Sequence, residues 1–224
     1  MADDGENERK YTIITENSEV KHTSRGYTGK ATAKYENNDV YDGDFVNGIR
    51  EGSGRYSYGK NNDVYVGDWV NNDKHGIGKM IYNMAEPPAE GEEDKPVEPK
   101  IGEYQGYWEN GRRHGEGVFT YPNGDIYSGW WKFGKKEGTG TYVSKETGMR
   151  MQGVWANSEM STGRWIYPNG VYYEGAFKNN KPSGEGTWHF DNGNCLKGVY
   201  TQKQKGNPEE DEEENAPKEY ESVF

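Results

Sequence analysis

The chain has 224 residues, only 30% of them hydrophobic, with a mean hydropathy of -1.22 and a formal net charge of -11. A balance this polar and acidic leaves little aliphatic surface to offset chain entropy, and it opposes contact with the phosphates of nucleic acid. Against disorder stand an aromatic content of 14% and 32 glycines that recur at fixed intervals. Each aromatic side chain buries about 150–250 Å², so a few per repeating unit can replace an aliphatic core. The acidity is also local: residues 1–10, 83–101 and 206–224 carry -2, -4 and -7, which leaves the rest of the chain near +2. The single cysteine, Cys195, excludes an internal disulfide and favours a reducing compartment. No signal peptide is expected from the first residues, which lack a basic start followed by an apolar stretch. No run approaches the ~20 apolar residues of a membrane-spanning helix.

In chain order, residues 1–24 form an N-terminal segment outside any repeat. Residues 25–40 are a half-unit cap, in which Gly29, Ala31, Ala33 and Tyr35 match the second half of a full repeat unit. The first full unit, 41–64, opens on Tyr41, Gly43 and Phe45 and continues through Gly52, Gly54, Tyr56 and Tyr58. The second, 65–82, opens on Tyr65, Gly67 and Trp69, and a Pro- and Glu-rich acidic insertion spans 83–103. The third, 104–126, has Tyr104, Gly106 and Trp108, then Gly115, Gly117, Phe119 and Tyr121. The fourth, 127–150, has Tyr127, Gly129 and Trp131. The fifth, 151–172, puts Met151 in the leading tyrosine position before Gly153 and Trp155. It is one residue short, and with Ser161, Gly163, Trp165 and Tyr167 as its second half, the deletion is expected in the turn. The sixth, 173–195, has Tyr173, Gly175 and Phe177, then Gly184, Gly186, Trp188 and Phe190. A closing half-unit, 196–205, carries Leu196, Gly198 and Tyr200, and 206–224 is an acidic tail with the composition of disorder.

Within each half-unit the aromatic and glycine positions alternate, which is the period of a strand with all of these residues on one face. Asn47-Gly48, Asn110-Gly111, Asn123-Gly124, Asn169-Gly170 and Asn192-Gly193 supply turn chemistry between them. The expected fold is all-β: a single-layer, twisted antiparallel meander of tandem hairpins, with no long helix between residues 25 and 200. About 13 strands spaced ~4.8 Å apart make a rod roughly 60 Å long. Glycine on the buried face leaves bare backbone for a neighbouring ring to cover, and stability must come from stacking hairpins, since one alone is marginal in water.

Catalytic chemistry is not expected. His75 and His114 occupy one repeat position, His22 and His189 have no partner at metal-ligand spacing, and Cys195 sits in no nucleophile motif. The Gly-x-Gly pairs open strands and lack the lysine of a phosphate loop. No cofactor or metal is therefore expected. Basic residues such as Arg112-Arg113 and Lys135-Lys136 read as scattered, a poor match to an anionic membrane. On the polar parity, where Asp42, Asp44, Gln105, Glu109, Lys132 and Lys178 form a solvated face, Tyr107 and Trp130 are exceptions. Exposed Tyr and Trp are typical interface anchors, and these two are the candidate partner-binding residues.

The repeated Tyr-x-Gly-x-(Trp/Phe)…Gly-x-Gly skeleton resembles the MORN repeat, over about residues 25–200. Within that family the arrangement is most similar to the MORN subunits of the axonemal radial spoke head. Six units form one block without a catalytic domain, Lys145-Glu146-Thr147-Gly148 joins units four and five, and Phe190-Asp191-Asn192-Gly193-Asn194-Cys195 precedes an acidic tail. The resemblance implies a non-catalytic scaffold in the cytoskeleton of a motile cilium or flagellum. Its implied partners are other spoke-head proteins, a MORN paralogue or second copy, and the projections of the central apparatus. The alternative is a MORN scaffold at a membrane or another cytoskeletal site, where phosphoinositides are the ligand.

Overall fold

The computed structural model describes residues 11–83 and 101–202. Most of the acidic insertion and all of the acidic tail therefore lie outside the described residues, as does the start of the N-terminal segment. The strands are β1 (Tyr11–Thr15), β2 (Val20–Lys21), β3 (Gly29–Tyr35), β4 (Val40–Val46), β5 (Ile49–Ser57), β6 (Val64–Val70), β7 (Asp73–Asn83) and β8 (Ile101–Glu109). They continue as β9 (Arg112–Thr120), β10 (Ile126–Lys132), β11 (Lys135–Val143), β12 (Arg150–Ala156), β13 (Glu159–Ile166), β14 (Tyr172–Lys178), β15 (Lys181–His189) and β16 (Cys195–Tyr200). All sixteen belong to one antiparallel sheet in the order β16 through β3, then β1, then β2. The sheet does not close on itself, and the described part of residues 25–200 contains no helix.

The hairpin within each of the six full units turns on two residues with positive φ: Asn47-Gly48, Asn71-Asn72, Asn110-Gly111, Phe133-Gly134, Asn157-Ser158 and Asn179-Asn180. Positive φ at both central positions suits the right-handed twist of the flanking strands. Five of the six turns open on Asn, which tolerates this conformation best after glycine. Phe133, at φ 49°, is the costly exception.

The register aligns glycines across the whole rod. Gly43, Gly54, Gly67, Gly78, Gly106, Gly117, Gly129, Gly140, Gly153, Gly163, Gly175, Gly186 and Gly198 pair strand to strand in one ladder. The reason is steric. A Cβ on Gly106 would lie 2.5 Å from the Gly117 Cα, and one on Gly117 would enter the Tyr104 ring. Each leading tyrosine lies across this bare backbone, and its hydroxyl donates to a carbonyl three residues on, at 2.9–3.2 Å for Tyr41, Tyr65, Tyr104, Tyr127 and Tyr173. The tryptophans lock consecutive hairpins together: the indole N–H of Trp69, Trp108, Trp131 and Trp155 donates to the carbonyl of Gly54, Gly78, Gly117 and Gly140. Edge-to-face ring pairs 5.2–5.4 Å apart run continuously from Tyr41 through Trp69, Tyr65, Trp108, Tyr104, Trp131 and Tyr127 to Trp155. The chain of rings stops where Met151 replaces tyrosine.

Three features depart from the sequence reading. First, sixteen strands replace the expected 13. Residues 1–24 include a hairpin whose β1 pairs with β3, burying Ile13 against the small Ala31 and Ala33, while the loop after β2 hydrogen-bonds back through Ser24 to the Gly48 carbonyl. Second, β7 and β8 extend into both ends of the 83–103 interval, to Asn83 and from Ile101. Third, the fifth unit keeps its two-residue turn, so the deletion does not fall there. Regular units carry a glycine bulge before the ladder position, as at Gly76 (φ 55°). In unit five Val154 pairs with Thr162 and Trp155 with Met160, so the residue lost is the bulge glycine.

Candidate interaction surfaces

The alternation that builds the rod also divides it into two unlike faces. One holds the core: Tyr41, Phe45, Tyr65, Trp69, Tyr104, Trp108, Tyr127, Trp131, Trp155, Tyr173 and Phe177 are all buried there. Among the described residues no second layer covers these rings. The cover is supplied by the side chain two residues after each turn: Arg50, Lys74, Arg113 and Lys136 lie 4.3–4.8 Å from the ring centroids of Trp69, Trp108, Trp131 and Trp155. Each also stands over two further rings, so its stem caps apolar surface while its charge meets ring faces. Burial lowers the pKa of Lys74, opposed by Asp63 and Asp73 and reinforced by Arg113 and Arg50. Burial, with a smaller push from Arg113, lowers Lys136 to about 8. Met160 and Pro182 occupy the equivalent places in units five and six. Basic residues that read as scattered are thus stacked in one row. The signal was a repeat column, the second residue after each turn, and no local motif marks it. A trough of about 1480 Å³ opens on this face at the N-terminal end, lined by Tyr35, Tyr56, Tyr58, Trp69, Arg50 and Lys74 among others.

Tyr107 and Trp130 lie on the opposite face, 49% and 48% exposed, so no described segment covers them. Ile77, Val118 and Val154 are exposed around them, and together they line a shallow trough of about 720 Å³ floored by the glycine ladder. Its place in the repeat is informative. Asp44 and Asp68 hold the same position in units one and two, where each carboxylate accepts the bulge amide of Ser53 or Ile77, at 3.2 and 3.0 Å. Units three and four exchange that cap for a large exposed ring, whose Cβ rests beside the bulge glycine Gly115 or Gly138.

The remaining titratable groups among the described residues do not converge on one point. His75 and His114 flank bulges on different hairpins, and His114 Nδ1 lies 3.1 Å from Glu109. His22 lines the N-terminal trough. Cys195 Sγ sits 3.2 Å from His189 Nδ1 on facing strands, with His189 stacked on Tyr172, in neither trough. Among the described residues no group of His, Cys, Asp or Glu has the geometry to hold a metal ion, and no helix is long and apolar enough to cross a membrane.

A solvent-facing meander of self-stacking hairpins, with its core on one side and open surface on the other, defines a tandem-repeat scaffold. The MORN repeat model matches residues 41–62, 65–84, 104–126, 127–146 and 173–195, and the chain is a MORN-repeat protein. The fifth unit, with Met151 and no bulge glycine, falls outside those matches. No curated protein sequence matches the chain. Among solved structures, it is similar to the TCP domain of SAS-4 from Drosophila melanogaster in complex with a proline-rich motif of Ana2. That match has 17% identity over 77% of this chain and 84% of that one, with a TM-score of 0.42. The TCP10c domain of Drosophila melanogaster Sas-4 matches at 16% identity over 77% and 93%, with a TM-score of 0.39. The TCP10 domain of Danio rerio CPAP, in complex with a peptide of Danio rerio STIL, matches at 12% over 78% and 81%, with a TM-score of 0.28.

Proposed function

We propose that the chain is a non-catalytic scaffold subunit of the radial spoke head in motile cilia or flagella, of the kind represented by radial spoke head protein 1 or its paralogue. There it joins other head subunits in the platform that meets the central apparatus and passes on signals controlling dynein. The support is the resemblance carried by residues 145–148, 190–195 and the acidic tail, together with a single-layer rod that leaves one face free for partners. The observation that carries the docking role is the substitution of Tyr107 and Trp130 for bulge-capping aspartates in the middle of that face. Loss of a capping bond costs stability, and exposed aromatic rings are repaid only when a partner covers them.

Two measurements test this. A tagged chain expressed in ciliated cells is expected along the axoneme at the spacing of the radial spokes; a membrane-bound or diffuse signal would sink the spoke-head assignment. The double substitution Tyr107→Ala and Trp130→Ala is expected to weaken co-assembly with spoke-head subunits by ~2 kcal/mol or more, about thirtyfold in affinity, with the thermal melt of the isolated chain unchanged. Full co-assembly of the double variant would place the partner on another surface.

A further inference from the structure

We propose that the row of stacked cations on the aromatic face is a docking track for the chain's own acidic tail, with residues 209–214 laid along Lys136, Arg113 and Lys74. This surface is opposite the one assigned to partners, and the inference does not depend on the spoke-head reading.

Three observations support it. The first is the state of the cations. Among the described residues none of the four forms an ion pair with a carboxylate. Arg50 and Arg113 instead donate to the backbone carbonyls of Asn72 and Gly134, and Lys74 to the Tyr58 hydroxyl. Half-buried charges in a row, one per hairpin, repel one another and gain from an anion set between them.

The second observation is where the tail leaves the sheet. The Gln202 side chain donates to the carbonyls of Lys178 and Lys181, which flank the β14–β15 turn. Arg50, Lys74, Arg113 and Lys136 each lie two residues past the corresponding turn of an earlier hairpin. The tail therefore starts at the same long edge of the rod along which the cations run.

The third is reach and charge. At ~4.8 Å per strand, Lys136, Arg113 and Lys74 lie about 17, 26 and 36 Å from the turn that Gln202 contacts. An extended chain covers at most ~3.3 Å per residue, so residues 209–214 reach up to about 23–40 Å from Gln202, which takes in Arg113 and Lys74 directly and Lys136 with the chain short of full extension. All six are acidic, in the segment 206–224 that holds eight acids and one base. The cations recur about every 10 Å, which is about every third residue of an extended strand. Units five and six, which the tail must pass first, have Met160 and Pro182 in the cation position and so nothing to arrest it early.

The test uses the full chain at low micromolar concentration, treated with a zero-length carbodiimide that joins lysine amines to carboxylates in contact, then digested and read by mass spectrometry. Expected are Lys136 and Lys74 joined to residues 209–214 within the monomer band, at least fivefold above Lys79 and Lys132 on the opposite face, and falling at least fivefold in 0.5 M salt. Replacing the six acids by Gln and Asn should remove these products while leaving the rod folded by circular dichroism, since no core residue is touched. Lys136→Met, which copies unit five, should abolish the Lys136 product and keep that of Lys74. Products spread evenly over both faces would overturn the proposal. So would products confined to a covalent dimer, which would mean that the tail belongs to a second copy.

Discussion

Gly106→Val is expected to prevent the middle of the rod from forming, a larger effect than truncating any single ring of the core. The added Cβ would stand 2.5 Å from the Gly117 Cα and 2.6 Å from the Glu116 carbonyl oxygen, both backbone of the paired strand, and 2.7 Å from the Tyr104 hydroxyl. No rotamer relieves a clash with backbone. Relief requires β8 and β9 to separate, which breaks ladder bonds and lifts Tyr104 from its glycine bed. Because each hairpin is stable only against its neighbours, the defect should divide the rod into two shorter blocks. Circular dichroism and proteolysis should show loss of sheet around residues 101–120. The control is Gly170→Ala, where nothing lies within 4 Å and only the backbone conformation (φ 87°) is penalised, at about 1–2 kcal/mol. If the two variants melt alike, the glycine ladder does not have the steric role assigned to it.

Trp108→Ala is expected to destabilise the chain by about 3–5 kcal/mol, the usual range for truncating a large buried aromatic. Trp108 is 4% exposed, forms edge-to-face pairs with Tyr65 and Tyr104, and donates its indole N–H to the Gly78 carbonyl at 3.2 Å. Its removal leaves a cavity, strips the Gly78 carbonyl of its indole donor and leaves the Lys74 ammonium without the ring 4.8 Å from it. The last two add to the cavity term, because a buried polar group stripped of its partner carries its full desolvation cost. Trp69→Ala should behave alike, since it has the equivalent indole bond and the equivalent pair of tyrosines, Tyr41 and Tyr65. Chemical denaturation with tryptophan fluorescence measures both. An unchanged midpoint would contradict the ring-and-glycine core.

The repeat body was legible because a single-layer sheet must encode its one buried face by parity. Tyr, Gly and Trp at i, i+2 and i+4 therefore recur wherever a hairpin does. The N-terminal hairpin was not legible for the same reason read in reverse. β1 packs Ile13 onto Ala31 and Ala33, so it needs neither glycine nor tryptophan and shows no repeat signature. The shortened fifth unit misled by one residue because parity counted back from Gly163 places Ser161 on the glycine position. A deleted bulge and a deleted turn residue leave the same sequence trace. The candidate partner residues were found from parity alone, as large rings on the polar side. What the sequence did not disclose is that their repeat mates Asp44 and Asp68 cap bulges, nor that Arg50, Lys74, Arg113 and Lys136 share a face. Both emerge only when the units are superposed in three dimensions.

The two-faced account is tested most directly at one pair of neighbours, Trp130 and Trp131, identical side chains that point to opposite sides of β10. Trp131 is 4% exposed and bonded to the Gly117 carbonyl, while Trp130 is 48% exposed. Each is replaced by Ala in the full chain, and thermal melting and capture of the proposed spoke-head partners are measured side by side. Trp131→Ala should lower the melting temperature by several degrees or more, at about 2–4 °C per kcal/mol for a chain of this size. Trp130→Ala should leave the melt within about a degree and reduce capture. Equal losses of stability in both variants, or full capture by Trp130→Ala, would contradict the assignment of one face to the fold and the other to its partners.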